Sequence, residues 1–101
     1  MGLQGHAAVV GVADYKNVRK YTGQRKFYIE QWAELTHMAI ADAGLSKQDI
    51  DGICCASIPE STRFAPATIA EYLGLQVNFA EMVDLGGASS VSMIWRAAAA
   101  I

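Results

Sequence analysis

Only two cysteines, two prolines and two histidines occur in the 101 residues, and each scarcity closes off a class of protein. The cysteines, Cys54 and Cys55, are adjacent. They have neither the CxxC spacing of a metal knuckle nor an easy disulfide geometry. Inside an apolar run they read as small buried hydrophobes that stay reduced. His6 and His37 are too isolated to argue a metal site, so structural roles and no metal are expected. No apolar run reaches the roughly 18 to 20 residues that span a bilayer. The opening MGLQGHAAVV lacks the basic region and cleavage site of a signal peptide. Its Met1-Gly2 start does not complete a myristoylation motif, because His6 stands where Ser or Thr is wanted. Eight cations against ten carboxylates leave a net charge of -2, with no global pull toward nucleic acid. The expectation is a cytoplasmic protein with no bound cofactor and no nucleic-acid partner.

What is present is hydrophobic and periodic. Apolar residues make up 52% of the chain and charged residues 18%, too apolar a balance for disorder and enough for one small core. Ala7 to Ala13 is a short, Val-rich, nearly continuous apolar run, as expected of a strand buried on both faces of a parallel sheet. A polar stretch from Asp14 to Lys26 follows, with Gly23 as its turn. Its Lys16, Arg19, Lys20, Arg25 and Lys26 have no acidic residue between them. They read either as a solvated loop or as a surface for phosphates such as those of coenzyme A.

The period then changes. Ile29, Trp32, Ala33, Thr36, Ala39, Ile40 and Ala43 recur at three and four residues, one apolar face of a helix. Gly44 ends it, with Leu45 placed to pack back on the last turn. Ser46 and Asp49 form a capping pair for one short turn. Ile50 to Ala56 predicts a second strand and Ser57 to Arg63 a connecting loop. Pro66, Ile69, Ala70 and Leu73 give a helix that Gly74 stops. Phe79 to Asp84 predicts a third strand. Gly86-Gly87-Ala88-Ser89-Ser90 breaks it, and Val91 to Ile101 is a helix-prone, Ala-rich run. Trp32 and Trp95, at helical spacings from other apolar residues, belong to a core or an interface.

The order β-α-β-α-β-α implies an α/β fold with right-handed crossovers and a mostly parallel sheet. Three strands leave an edge, so the unit is expected to be incomplete as it stands, its sheet continued by further residues or by another chain. Ligands of such sheets bind outside the carboxyl ends of the strands. Of the segments that leave those ends, Gly86–Ser90 is chemically the richest. It is a tight turn entering a helix N-terminus, where unpaired amides favour negative charge. It is not a phosphate-binding P-loop, because no Lys follows, and the GxGxxG dinucleotide pattern is absent.

The stretch VDLGGASSVSMIWRAAAAI resembles the strand-turn-helix of the thiolase superfamily, especially its sterol-carrier and lipid-transfer type, whose motif reads V-N-x-x-C-A-S/T-G. AAVVGVADYKNVRKYTG is similar to that family's opening strand and loop, AIADAGLSKQDIDGICCAS to its ALADAGL-x-x-x-DIDG segment, and IAEYLGL to a helix end before the nucleophile strand. The resemblance covers nearly the whole of residues 1–101, which would then be the N-terminal portion of a thiolase-like domain. Over the motif, Val83 matches, Asp84 falls on the Asn, Gly87 falls on the nucleophilic cysteine, Ala88 matches, Ser89 takes the Ser/Thr place and Ser90 replaces the Gly.

The resemblance implies a coenzyme A thioester as substrate, a homodimer, and acid/base residues beyond Ile101. Without a thiolate no acyl group can be carried between half-reactions. Members lacking the cysteine resemble retro-aldolases of steroid side-chain CoA esters that work with an OB-fold partner protein. Gly86 and Gly87 would then shape the substrate pocket. Ser89 and Ser90 are the candidate hydroxyls, but neither has an identifiable base and both suit N-capping of the last helix. The alternatives are a non-catalytic, thiolase-derived binding or scaffolding subunit, and an acetyl-CoA acetyltransferase-type thiolase.

Overall fold

The structure, a computed structural model, describes residues 2–101; Met1, half of the lipidation dipeptide considered above, lies outside the described residues. Helix α1 spans Tyr28–Ala43. Its half-buried stripe of Ile29, Trp32 and Ala33 packs on the core. The helix ends in paired backbone bonds, Gly44 N–H to Ala41 O (3.0 Å) and Leu45 N–H to Ile40 O (3.1 Å). This is the Schellman pattern that a left-handed residue after the last turn allows. Asp49 closes the next turn by accepting from the Ser46 N–H at 2.9 Å and the Ser46 hydroxyl at 3.2 Å.

Strand β1 (Gly52–Cys55) and strand β2 (Phe79–Met82) pair in parallel, Gly52 opposite Phe79 and Cys55 opposite Met82. The ladder is prolonged at both ends by Asn78 N–H to Asp51 O and Val83 N–H to Cys55 O, each 2.8 Å. Helix α2 (Ala65–Leu73) connects the strands, with Pro66 in its first turn. It ends at Gly74 with the same pair of bonds as α1, from Gly74 to Glu71 and from Leu75 to Ala70. The Lys47 ammonium donates to the last-turn carbonyl of Leu73 at 3.0 Å, a cation where the helix dipole favours one.

Alternation along β1 sends Cys55 and Ile53 toward α2 and leaves Cys54 for the other face. The core on the α2 side is Cys55, Ile58, Ala65, Ile69, Ala70, Leu73 and Leu75. Helix α3 (Ser89–Ala100) packs against β1, and α1 packs on the outside of α2. The architecture is thus a two-stranded parallel sheet between helices, open at both edges, an incomplete α/β half-unit of the class expected.

The first strand does not form. Residues 7–13 carry no strand pairing and lie on the surface. A strand exists only where a neighbour offers a ladder, and this segment instead rests on α1. The Val12 N–H donates to the Asp42 carboxylate at 3.0 Å. At Gly11 a Cβ would stand 2.4 Å from the Ala39 carbonyl oxygen and 2.8 Å from the Ala43 Cβ. Only glycine lets the backbone approach the helix so closely. The Cα radius of gyration is 14.2 Å, above the roughly 13 Å typical of 100 compact residues. No described helix is long and apolar enough to cross a membrane.

Candidate functional site

The carboxyl end of β2 runs through buried Val83 into Leu85 and a short helical turn, Gly86–Ala88, before α3 begins at Ser89. Gly86 has φ +64°, a left-handed conformation that side chains resist, and this reverses the chain at the foot of α3. Gly87 is exposed, and a Cβ built on it meets no heavy atom within 4 Å. Position 87 is therefore open space in front of a helix start.

Ser89 and Ser90 part company. Ser89 is the one buried polar residue among those described, 8% exposed. Its hydroxyl donates to the Gly86 carbonyl and accepts from the Leu85 N–H, both at 2.8 Å. It clamps the turn rather than capping α3, whose N-terminus carries no side-chain cap. Ser90 is exposed. Neither hydroxyl has a histidine or carboxylate partner among the described residues.

A cleft of about 420 Å³ opens beside this turn, lined by Glu81, Met82, Val83, Asp84, Leu85, Ser92, Trp95 and Arg96. Gly86, Gly87, Ser89 and Ser90 border it in sequence but do not line it. At its wall Arg96 grips Glu81 side-on, Nε to Oε2 at 3.0 Å and Nη2 to Oε1 at 2.8 Å, the fork geometry that makes such pairs directional. The guanidinium also stands 5.8 Å from the centroid of the neighbouring Trp95 ring, and that ring is itself 58% exposed. Periodicity does not reveal the Glu81–Arg96 pair, whose members stand fifteen residues apart. A second hollow of about 360 Å³, at Lys47, Asp51 and Gly74, lies at the entry of β1, the end where open α/β sheets do not bind ligands.

The cysteines are set apart from the turn. Cys54 sits opposite Glu81 in the ladder; burial, then the Glu81 charge, raises its thiol pKa, and Arg96 pulls it back. Burial pushes the Cys55 thiol up to about 11. Both are free and, as raised thiols, poor nucleophiles. His6 and His37 are exposed, and no group of three or more metal-ligating side chains converges among the described residues. Trp32 is half-buried against the core.

The chain is similar to a protein of Mycobacterium tuberculosis (strain ATCC 25618 / H37Rv) named 17-hydroxy-3-oxo-4-pregnene-20-carboxyl-CoA lyase, with 31% identity over 99 residues. The match covers 98% of this chain and 24% of that protein, so the chain spans about a quarter of its relative's length. No protein-family model matches, and no solved structure matches.

Proposed function

We propose that this chain forms the N-terminal part of a thiolase-like lyase that cleaves a carbon–carbon bond in a β-hydroxyacyl-CoA, with a steroid side chain as the acyl class. The observation that carries the reading is Gly87, an open backbone position where a thiolase holds its thiolate. Similarity along 98% of this chain to a protein named as a CoA lyase supports the same direction. The clamp on Ser89 keeps the nearest hydroxyl from replacing the thiol.

In such a cleavage a base takes the β-hydroxyl proton, and the Cα–Cβ bond breaks to leave a carbonyl product. The electron pair passes into the thioester enolate, which then takes a proton at Cα. No acyl-enzyme is needed, only a proton carrier and donors for the enolate oxygen. The start of α3 supplies amides and a positive dipole end for that oxygen. The reading assigns the acid and base to residues other than Gly86–Ser90, a homodimer to the working assembly, and an OB-fold protein as its partner.

Incubation of the intact protein with a β-hydroxyacyl-CoA, followed by mass spectrometry, should yield a shortened acyl-CoA and a carbonyl compound in equal amounts. The same protein should not thiolyse a β-ketoacyl-CoA; thiolysis at an ordinary enzyme rate would sink the proposal.

A second reading, a non-catalytic thiolase-derived subunit, is favoured by one observation. Leu85, Val91, Ile94 and Trp95 leave 58 to 73% of their surface exposed along and beside α3, an apolar surface of the kind that partners cover. Size-exclusion chromatography with light scattering separates the two classes of behaviour. A stable monomer of 10.8 kDa would count against any completing partner.

A further inference from the structure

The cleft of about 420 Å³ beside α3 lies at the carboxyl end of β2, the end where open α/β sheets bind ligands. Its volume falls in the range of small-molecule sites, roughly 300–1,000 Å³. The carbon–carbon cleavage described above draws on the amides at the start of α3 and uses none of this lining.

Three charged side chains line the cleft, Glu81, Asp84 and Arg96. Two of them cancel. Arg96 holds both oxygens of Glu81, Nε to Oε2 at 3.0 Å and Nη2 to Oε1 at 2.8 Å, so this cation is already matched. Asp84 is different. It is exposed, and among the described residues no cation stands within ion-pair distance of it. The cleft is left with a formal charge of one carboxylate, located at Asp84.

That charge sits in the same cavity as an apolar wall of Met82, Val83, Leu85 and Trp95. The Trp95 ring is 58% exposed, and the Arg96 guanidinium stands 5.8 Å from its centroid. An indole face attracts positive charge. We infer that this cleft binds a small amphipathic organic monocation, an ammonium group on an aryl or alkyl body, with the ammonium at Asp84 and the body against Trp95 and Leu85. An anionic ligand finds no free counter-charge, because Arg96 is held by Glu81. A polycation finds a single unpaired carboxylate. A metal ion finds too few ligands, since no group of three or more converges among the described residues. The inference does not rest on the lyase reading, and its failure would leave that reading untouched.

The test is a two-dimensional NMR titration of the whole chain at low ionic strength, with three probes of one shape: phenylpropylamine, phenylpropanol and phenylpropanoate. Saturable shifts at Asp84, Ser92 and the Trp95 indole N–H are expected with the amine. It should bind about threefold or more tightly than the alcohol, and the carboxylate should bind weakest. Asp84→Asn should abolish the advantage of the amine over the alcohol. Trp95→Leu should weaken the amine about threefold. Glu71→Gln, which removes an exposed carboxylate on α2, should change affinity less than about 1.5-fold. Far-UV circular dichroism establishes that the variants are folded, as exposed substitutions should be. Binding of the carboxylate as tightly as the amine overturns the inference, and so does a preference for the amine that survives Asp84→Asn. Shifts confined to residues outside the cleft, or no saturation up to about 10 mM, also overturn it.

Discussion

The Ser89 hydroxyl lies 2.8 Å from the Gly86 carbonyl oxygen and donates its proton there, while the Leu85 N–H fills its lone pair. A hydroxyl used in this way holds a turn shut. Ser89→Ala would leave the Leu85 N–H without a partner beside a buried position, while the Gly86 carbonyl keeps the Ser89 N–H, at a cost of about 1–3 kcal/mol. Ser90→Ala removes an exposed hydroxyl with no such bond and should stay within about 0.5 kcal/mol. Urea denaturation of the two variants measures the difference directly.

Gly87→Cys should be tolerated. Its added Cβ meets nothing within 4 Å, and its backbone is not in the left-handed region. The variant should unfold within about 1 kcal/mol of the parent and present an accessible thiol. Maleimide labelling of the native variant should mark the introduced thiol well before that of Cys55; labelling in the reverse order would show that the turn is closed.

The raised thiols make a pH prediction with a definite sign. Above the ordinary cysteine pKa of about 9 the unfolded chain loses its Cys55 proton, while the folded chain keeps it to about 11. The unfolded state then binds fewer protons, so stability falls as pH rises through that window. Cys55→Ala should flatten this part of the pH-stability curve. At pH 8, iodoacetamide should modify Cys55 about a hundredfold more slowly than an unperturbed thiol.

Glu34 is the anchor of the arm. The hydrogen bond from Lys26, and then that from Tyr15, hold its carboxyl below the usual carboxylate range. Its contribution is therefore present above the ordinary carboxylate pKa and is lost as pH falls through the lowered one. Glu34→Gln at neutral pH should release the same contacts. NMR should show the Tyr15 resonances moving toward free-chain values, in the variant and on acidification, while those of Ile69 and Leu73 hold.

Ile58 lies in the connection between β1 and α2 yet is only 2% exposed. Ile58→Ala should cost about 2–5 kcal/mol, as for a core residue, whereas Thr62→Ala, on the exposed part of the same loop, should be nearly silent. Thermal or urea unfolding checks both. A loss below about 1 kcal/mol for Ile58→Ala would mean that the site collapses around the vacancy.

The local code was legible in the residues. Helix α1 and its Gly44 end, α2 between Pro66 and Gly74, the two paired apolar runs and the turn at Gly86–Gly87 all follow from interactions a few residues long. Periodicity, capping and glycine chirality act at that range, so the sequence by itself determined them. What needed tertiary structure was each choice of distant partner. The Ala7–Ala13 run has the composition of a strand, but pairing requires a ladder, and Gly11 lets it lie against Ala39 and Ala43 instead. Ile58 reads as loop because its burial comes from packing across the chain. Ser89 reads as a cap, but the reversal at Gly86 brings the Leu85 amide and the Gly86 carbonyl to its hydroxyl first. The Glu81–Arg96 fork exists only because α3 folds back beside the sheet, a geometry that no spacing along the chain encodes.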